Sequence, residues 1–392
     1  MTYNNLKNCK RKKVLMFVAG GTGGHIYPSL SLITKMKDFN FLIFTDERGR
    51  GYYENYFIKT KLNYKIFCNK VTSPSNKKII NKIIALFQLF SSLVKSLSIL
   101  AVQKPDIAIG FGGYPTVAPM LAAKFFSIPS IIHEQNAIIG RGNKLLSKIT
   151  NKLALSFVKT KNIENIKNII FTGNPVRTEF EEIGNNYLYQ QTSKKSFTIL
   201  IYGGSLGASY FSKELTSVIC SLPEEIKKSI KIIQQVRIED LENVRNNYKT
   251  HKIDAEVSTF FQNIFKKFQL SHLIITRSGG SSVAEILASC RPAIFIPLPN
   301  SFENHQFENA KFFEINKCGW IFDQIKNSEN DLQNLIKDIF KNQKKLISTS
   351  KKLRDLSNKL SNLRKGKTPS DTLSDLILEM TQDSNNEMRI LC

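Results

Sequence analysis

"VLMFVAGGTGGHIYPSL", residues 14–30, sets the organisation of everything that follows it. An apolar run from Val14 to Ala19 stops at four glycines, Gly20, Gly21, Gly23 and Gly24, grouped around Thr22, and His25 comes next. The segment "IYPSLSLITKMKD" then takes up helical spacing. Such a run reads as a buried β-strand, a glycine loop and the first turn of a helix. Glycine tolerates positive φ and close backbone approach, while a helix start aims unpaired N–H groups and partial positive charge at an anion. Taken alone, the loop reads first as a tight turn between strand and helix.

Working outward, the same pattern recurs. "FNFLIFTD", "DIAIGFGG" and "PSIIHEQ" are short apolar runs separated by helix-length segments, which predicts a parallel sheet with right-handed crossovers. "GNPVR" and the polar "NNYLYQQTSKKS" interrupt the alternation, and it restarts with "FTILIYGG", "IKIIQQV", "HLIITRSGG" and "PAIFIPLP". We therefore expect an α/β protein with two Rossmann-like parallel-sheet domains facing across a cleft. A basic extension covers 1–12, an N-terminal domain 13–177 and a linker 178–196; a C-terminal domain at 197–365 precedes a closing helix and tail at 366–392. Glycine loops end four of the strands: "GGTGGH" at 20–25, "GFGGYP" at 110–115, "GGSLGA" at 203–208 and "RSGGSSVAE" at 277–285. Four such loops shared by two halves favour phosphate binding over plain turns. None is followed by GKS or GKT and none reads GxGxxG, so ATP hydrolysis and ordinary NAD use are poorly supported.

The whole-chain numbers limit the alternatives. A length of 392 residues suits two domains, and 42% hydrophobic residues support folding. The 56 basic against 32 acidic side chains give a net charge of +24, a field that attracts nucleic acid, anionic membrane or phosphorylated substrates, or that is simply a diffusely solvated surface. Six cysteines without a CxxC pair speak against structural zinc and a disulfide framework, and fit a reducing cytosol. "CKRKKVLMFVAGG" imitates a signal peptide, but its apolar run is short and lacks a small-residue cleavage site. No 18 consecutive residues are apolar, so no transmembrane helix is expected.

In order along the chain stand "GGTGGHIYPSL", "GFGGYPTVAP", "HEQNAIIGRGNKLL", "TGNPVR", "GGSLGA", "RSGGSSVAEILA" and "ENHQFENA". Over roughly residues 13–365 the chain resembles the MurG family of peptidoglycan N-acetylglucosaminyltransferases. The resemblance implies a GT-B fold, UDP-N-acetylglucosamine as donor and the undecaprenyl-pyrophosphoryl-muramoyl-pentapeptide lipid I as acceptor. It places donor contacts on Thr22, Gly23, Gly24, Asn136, Arg177, Ser205 and Gln306, and on the run Gly280, Ser281, Ser282, Val283, Ala284 and Glu285. The backbone near Phe261 is expected at the uracil edge. Glu285, one and a half turns into its helix, suits two ribose hydroxyls, and Ser205 suits a diphosphate oxygen. Asn136 and Gln306 can donate to and accept from sugar hydroxyls. Leu206 stands where the family usually has Gln, and His305 where some relatives have Gln.

His25 is the candidate general base, with Glu134 as competitor, while His133 reads equally well as a core residue. The expected reaction is a single inverting displacement. The sequence has no DxD pair, and we expect neither a metal ion nor a cofactor. In "KKIINKIIALFQLFSSLVKSL", residues 77–97, Lys77, Lys78 and Lys82 precede the stripe Ile83, Phe87, Phe90 and Leu93. The stripe fits an interfacial membrane patch or a core-packed helix, with Ile79, Ile84 and Leu86 favouring partial burial. The resemblance favours the patch and a peripheral place on the cytoplasmic face of the inner membrane, with other cell-wall and division enzymes as partners. Competing expectations are another lipid-directed GT-B transferase, a UDP-N-acetylglucosamine 2-epimerase, and a basic nucleic-acid-binding protein. The last finds no helix-turn-helix or RRM signature, so no nucleic acid is expected as partner.

Overall fold

The computed structural model describes residues 11–21, 23–69, 79–186, 197–203 and 209–390, side chains at 79, 80, 302 and 383–390 excepted. Its N-terminal strands are β1 (Val14–Val18), β2 (Asn40–Thr45), β3 (Tyr64–Cys68), β4 (Ile107–Gly110), β5 (Ser130–Glu134), β6 (Lys152–Leu155) and β7 (Ile169–Phe171). Helices α1 (Gly23–Lys35), α2 (Glu47–Thr60), α3 (Ile79–Gln103), α4 (Val117–Phe125) and α5 (Arg141–Leu146) lie between them. The sheet order is β3-β2-β1-β4-β5-β6-β7, with every pairing parallel. Apolar side chains from both faces of β1 explain this: Leu15 and Phe17 enter one core layer, Met16 and Val18 the other.

Helix α6 (Thr178–Asn185) leads to the second sheet. It occupies the first part of the expected linker because Phe180 buries fully in the C-terminal core and Gly184 lets the helix lie close on its neighbour. The second sheet holds β8 (Phe197–Tyr202), β9 (Ile230–Gln235), β10 (Asp254–Ser258), β11 (Leu273–Thr276), β12 (Ala293–Phe295) and β13 (Trp320–Ile321). Its order, β10-β9-β8-β11-β12-β13, is again wholly parallel. Around it stand α7 (Thr216–Cys220), α8 (Glu224–Lys227), α9 (Leu241–Thr250), α10 (Ile264–Leu270), α11 (Gly280–Ser289), α12 (His305–Ile315), α13 (Glu329–Lys341) and α14 (Lys344–Leu363). The last helix, α15 (Pro369–Ile390), returns to the first domain, where Leu373, Leu376 and Ile377 join the core beside α1.

In each sheet the chain order reverses once, between β1 and β4 and between β8 and β11. Open parallel sheets leave a crevice at such points, beyond the carboxyl ends of the strands. The four glycine loops follow these four strands. The fold thus sets the starts of these loops, far apart in sequence, at two crevices.

Helix α3 settles the amphipathic stretch. It is long and apolar enough to cross a bilayer by length and composition, but Leu89, Leu93 and Leu97 pack onto the first domain's core. The outer face leaves Ile83, Phe87 and Phe90 at 61%, 73% and 64% exposure. Leu93 therefore belongs to the inner face, a correction to the expected stripe. Ile84 and Leu86 are exposed instead of half-buried, and Phe125 and Phe126 at the end of the neighbouring α4 extend the apolar surface. Lys77 and Lys78 lie outside the described residues.

Candidate active site at the inter-domain cleft

The cleft is assembled where α1 and α11 meet by their N-termini. Pro28 inside α1 has no N–H to donate to the carbonyl four residues back, so Gly24 O is left open. Ser281 Oγ of the opposite domain donates to it at 3.1 Å. Close approach needs glycine at 280, because a Cβ there would stand 2.7 Å from Gln135 O of the first domain. Two positive helix ends thus share one corner of the cleft, which favours an anion.

The cavity at this corner has a volume of about 720 Å³. Of the residues anticipated from sequence, Gly23, Gly24, Arg177, Phe261, Gly280, Ser281, Ser282, Glu285 and Gln306 border it. Thr22 and Ser205, with Leu206, lie outside the described residues, although Gly203 at the start of that loop lines the cavity. Val283 and Ala284 sit on the other face of α11 and pack against the C-terminal core.

Arg177 and Glu285 form a fixed pair. Arg177 Nη2 donates to Glu285 Oε1 at 3.0 Å, and the guanidinium lies 4.9 Å from the Tyr27 ring centre and 4.8 Å from that of Phe180. Burial raises the Glu285 carboxyl above its ordinary range, and Arg177 opposes that rise. Gln306 Oε1 accepts from Leu298 N at 2.9 Å, which orients its amide and leaves Nε2 unengaged among the described residues.

His25 stands one residue beyond Gly24, beside the cavity and not in its lining. Its Nδ1 lies 3.0 Å from Gly20 O. A carbonyl can only accept, so Nδ1 carries the proton and the neutral ring presents its lone pair at Nε2. Burial pulls the imidazole below its ordinary 6.5; the Gly20 carbonyl and the carboxylates of Glu134 and Asp46 oppose this, while His305 adds to it. Gly113, at φ +83°, packs against the ring: a Cβ there would come within 3.4 Å of Nδ1 and 3.3 Å of Gly20 O. The first two glycine loops therefore hold the base candidate between them.

Two anticipated site residues already have partners within the protein. Glu134, the competing base, is buried and accepts four hydrogen bonds, from Asn136 N and Nδ2 at Oε1 and from Gly140 N and Asn143 Nδ2 at Oε2. Its lone pairs are committed to shaping the loop after β5. Asn136 is likewise engaged: its Oδ1 accepts from Asn309 Nδ2 at 3.0 Å, and the half-buried residue stands beside the cavity, outside its lining. His133 is the core residue of the two readings, donating from Nε2 to Gly173 O and accepting at Nδ1 from Gln135, with burial holding its pKa near 4.

Sequence reasoning missed Asn309 and Arg277. Fully buried Asn309 accepts from Ala137 N at 2.7 Å and donates to Ser278 O at 2.9 Å as well as to Asn136. It stands three residues after Gln306 in "NHQFENA", the spacing that puts both on one helix face. Arg277 of "TRSGG" lines the cavity, ties down the segment after β12 through Ile296 O and Pro297 O, and donates to Gln324 Oε1 after β13. Tyr27 borders the cavity too; its ring under Arg177 is the signal "HIYP" carried unread.

The family model described as glycosyltransferase family 28 N-terminal domain matches residues 15–155, and its C-terminal counterpart matches 198–366. A Wolbachia pipientis protein (subsp. Culex pipiens) is 36% identical over 358 residues, covering 90% of this chain and 96% of that protein. One from Rickettsia canadensis is 34% identical over 380 residues, covering 94% and 99%. Both are named UDP-N-acetylglucosamine--N-acetylmuramyl-(pentapeptide) pyrophosphoryl-undecaprenol N-acetylglucosamine transferase. Among solved structures, Acinetobacter baumannii MurG superposes with a TM-score of 0.70 at 25% identity, covering 94% of this chain and 99% of that one.

Proposed function

The chain belongs to glycosyltransferase family 28, and we infer from that membership and from the cleft what it does. It moves N-acetylglucosamine from UDP-N-acetylglucosamine onto the muramoyl 4-hydroxyl of lipid I, the step that makes lipid II in peptidoglycan synthesis. The observation that carries this reading is the junction of the α1 and α11 N-termini over a cavity that holds the Arg177–Glu285 pair.

In the binding mode we propose, the diphosphate lies at the two helix ends, with Ser281, Ser282 and Gly203 around it. Glu285 Oε2, which has no bond among the described residues, accepts the ribose hydroxyls, while Arg177 keeps Oε1 occupied. Phe261 borders the base end, and Gln306 Nε2 reaches the sugar. The acceptor hydroxyl approaches from the His25 side. Neutral His25 takes its proton at Nε2 as the oxygen attacks C1 of the α-linked donor, UDP departs and a β1→4 bond forms. Charge grows on the departing diphosphate, so helix ends already aimed there act most strongly in the transition state. Incubation with the donor and a lipid I analogue tests the reaction: UDP release is expected only when both are present, and release that ignores the acceptor overturns the assignment.

The exposed face of α3, with Phe125 and Phe126 beside it, is our proposed membrane contact. It suits a lipid-linked acceptor: aromatic rings enter the headgroup boundary, and the +24 chain is drawn to anionic lipid, which supports a peripheral position on the cytoplasmic face. Phe87→Asp with Phe90→Asp is expected to lower partition into anionic liposomes by about tenfold or more, since each buried ring contributes roughly 1.5–3 kcal/mol. Undiminished co-sedimentation would remove this face from consideration.

A further inference from the structure

At the edge of the second sheet, the sequence makes a tight turn into β13. Lys317 closes α12 in the left-handed region, at φ +53°, with its N–H donating to Glu314 O at 2.8 Å. Gly319 follows because a Cβ there would stand 2.8 Å from the Phe295 ring. Only Asn342 and Gln343 separate α13 from α14. Between these turns and the first half of α14 lies a recess of about 490 Å³, which shares no wall residue with the cleft. Its wall carries four ammonium groups, on Lys317, Lys344, Lys345 and Lys352, and, among the described residues, no carboxylate. All four lysines are exposed, so a solute reaches them directly. Lys345 pairs with Asp338, while the other three have no ion-pair partner among the described residues. Lys345, Ser348 and Lys352 follow i, i+3, i+7 spacing and so share one stripe of α14. The Gln343 side chain does not cap this 20-residue helix, whose positive end opens beside Lys344. Trp320, the only tryptophan in the chain, stands half-buried in the same wall.

Lysines are plentiful on a +24 chain, but here a helix stripe, a helix start and a turn direct four of them onto one concave space, which concentrates their field. We propose that this recess is a second anion site, for a compact oligophosphate, free or as the tail of a nucleotide. Ammonium groups meet phosphate as point charges and require no fixed fork of donors, so the recess selects for charge density more than for shape. Linked phosphates bring several charges into one small volume and let each lysine meet an oxygen, and the exposed Ser348 hydroxyl donates to the same oxygens. A bilayer is a poorer match, because these lysines line a recess and the apolar face that suits lipid stands on α3 in the other domain.

The probe is tripolyphosphate, titrated calorimetrically into the full chain at low ionic strength with UDP in excess, so that the cleft is already served. We expect one saturable site with a Kd of about 0.1 mM or below, weakening by about tenfold as salt is raised past the point where charges this far apart are screened. The emission of Trp320 should change along the same isotherm, since no other tryptophan contributes. Lys344→Gln with Lys352→Gln is expected to weaken binding by about tenfold. Ser348→Asp, which sets a carboxylate in the recess, should cost at least as much. Lys59→Gln with Lys61→Gln makes the same change of charge at the end of α2 in the other domain, and should cost less than about twofold. UDP affinity should stay within about twofold of the parent in all three variants, because none of these residues borders the cleft. Absence of saturation, a Trp320 emission that ignores the bound probe, full affinity in both recess variants, or an equal loss in the α2 variant would each overturn the proposal. Phosphatidylglycerol vesicles that shift Trp320 emission where tripolyphosphate does not would make the recess a lipid contact and overturn it too.

Discussion

His25→Ala lowers kcat by about two to four orders of magnitude, while UDP binds with its original affinity to within about twofold. The split follows from placement. The ring lies outside the cavity proposed for the nucleotide, so its removal takes no donor contact away. It does remove the acceptor-side lone pair that Gly20 O fixes at Nε2 by holding the proton on Nδ1. The pH profile supplies a second signature. A general base acts when deprotonated, and burial sets this imidazole below its ordinary 6.5. The acid limb of kcat/KM, which reports the free enzyme, therefore falls below pH 6.5 in the parent, and activity persists into mildly acidic buffer. The alanine variant loses that limb, because the group that titrates is gone. His25→Gln discriminates between roles: glutamine keeps a hydrogen-bonding group but accepts no proton near neutral pH. If His25→Gln restores most of the turnover, the ring only positions the acceptor and the base lies elsewhere. Glu134 is a poor replacement, since four donors already fill its oxygens.

The central elements of both sheets were legible because they are buried on both faces. β1, β4, β8 and β11 are short apolar runs that lead into paired glycines. The strands that escaped notice are mostly at sheet edges. β3 reads "YKIFC", β10 "DAEVS" and β13 "WI", with exposed or half-exposed positions that dilute the apolar run. Helix α6 was hidden by composition: "TEFEEIGN" is polar except at Phe180 and Ile183, and it is helical because α11 receives that face. In the site, residues whose task is backbone geometry were readable, since glycines and helix starts announce themselves. Residues whose task depends on the opposite domain were not. Glu134 and Asn136 are two apart in "HEQN", and nothing local says that they bond each other. Nor does "ENHQFENA" reveal that its second asparagine reaches across to the first domain.

That asparagine carries the other large expected effect. Asn309→Leu keeps the volume nearly constant and deletes three hydrogen bonds at once, to Ala137 N, Asn136 Oδ1 and Ser278 O. The site is fully buried, so water does not replace them. Each unmade buried group costs about 1–3 kcal/mol, which gives a loss of at least about 3 kcal/mol. For domains of this size that corresponds to a fall in Tm of roughly 6–12 °C. The bonds tie the loop after β5 to the segment between β11 and α11, so they fix the register of the His25 half against the Gly280 half. Turnover is therefore expected to fall by about tenfold or more even below the melting range, because small misplacements of reacting groups are costly. Nucleotide affinity should change less, since most of the cavity wall belongs to the C-terminal domain. A double-mutant cycle with Asn136→Ala separates this from ordinary destabilisation. Partners in one network are non-additive by about 0.5–3 kcal/mol, whereas a residue that merely fills space gives additive losses. A leucine variant with parental Tm and turnover would mean that the domains hold their register without Asn309, and the joint would have to be sought at Ser281 and Gly24 alone.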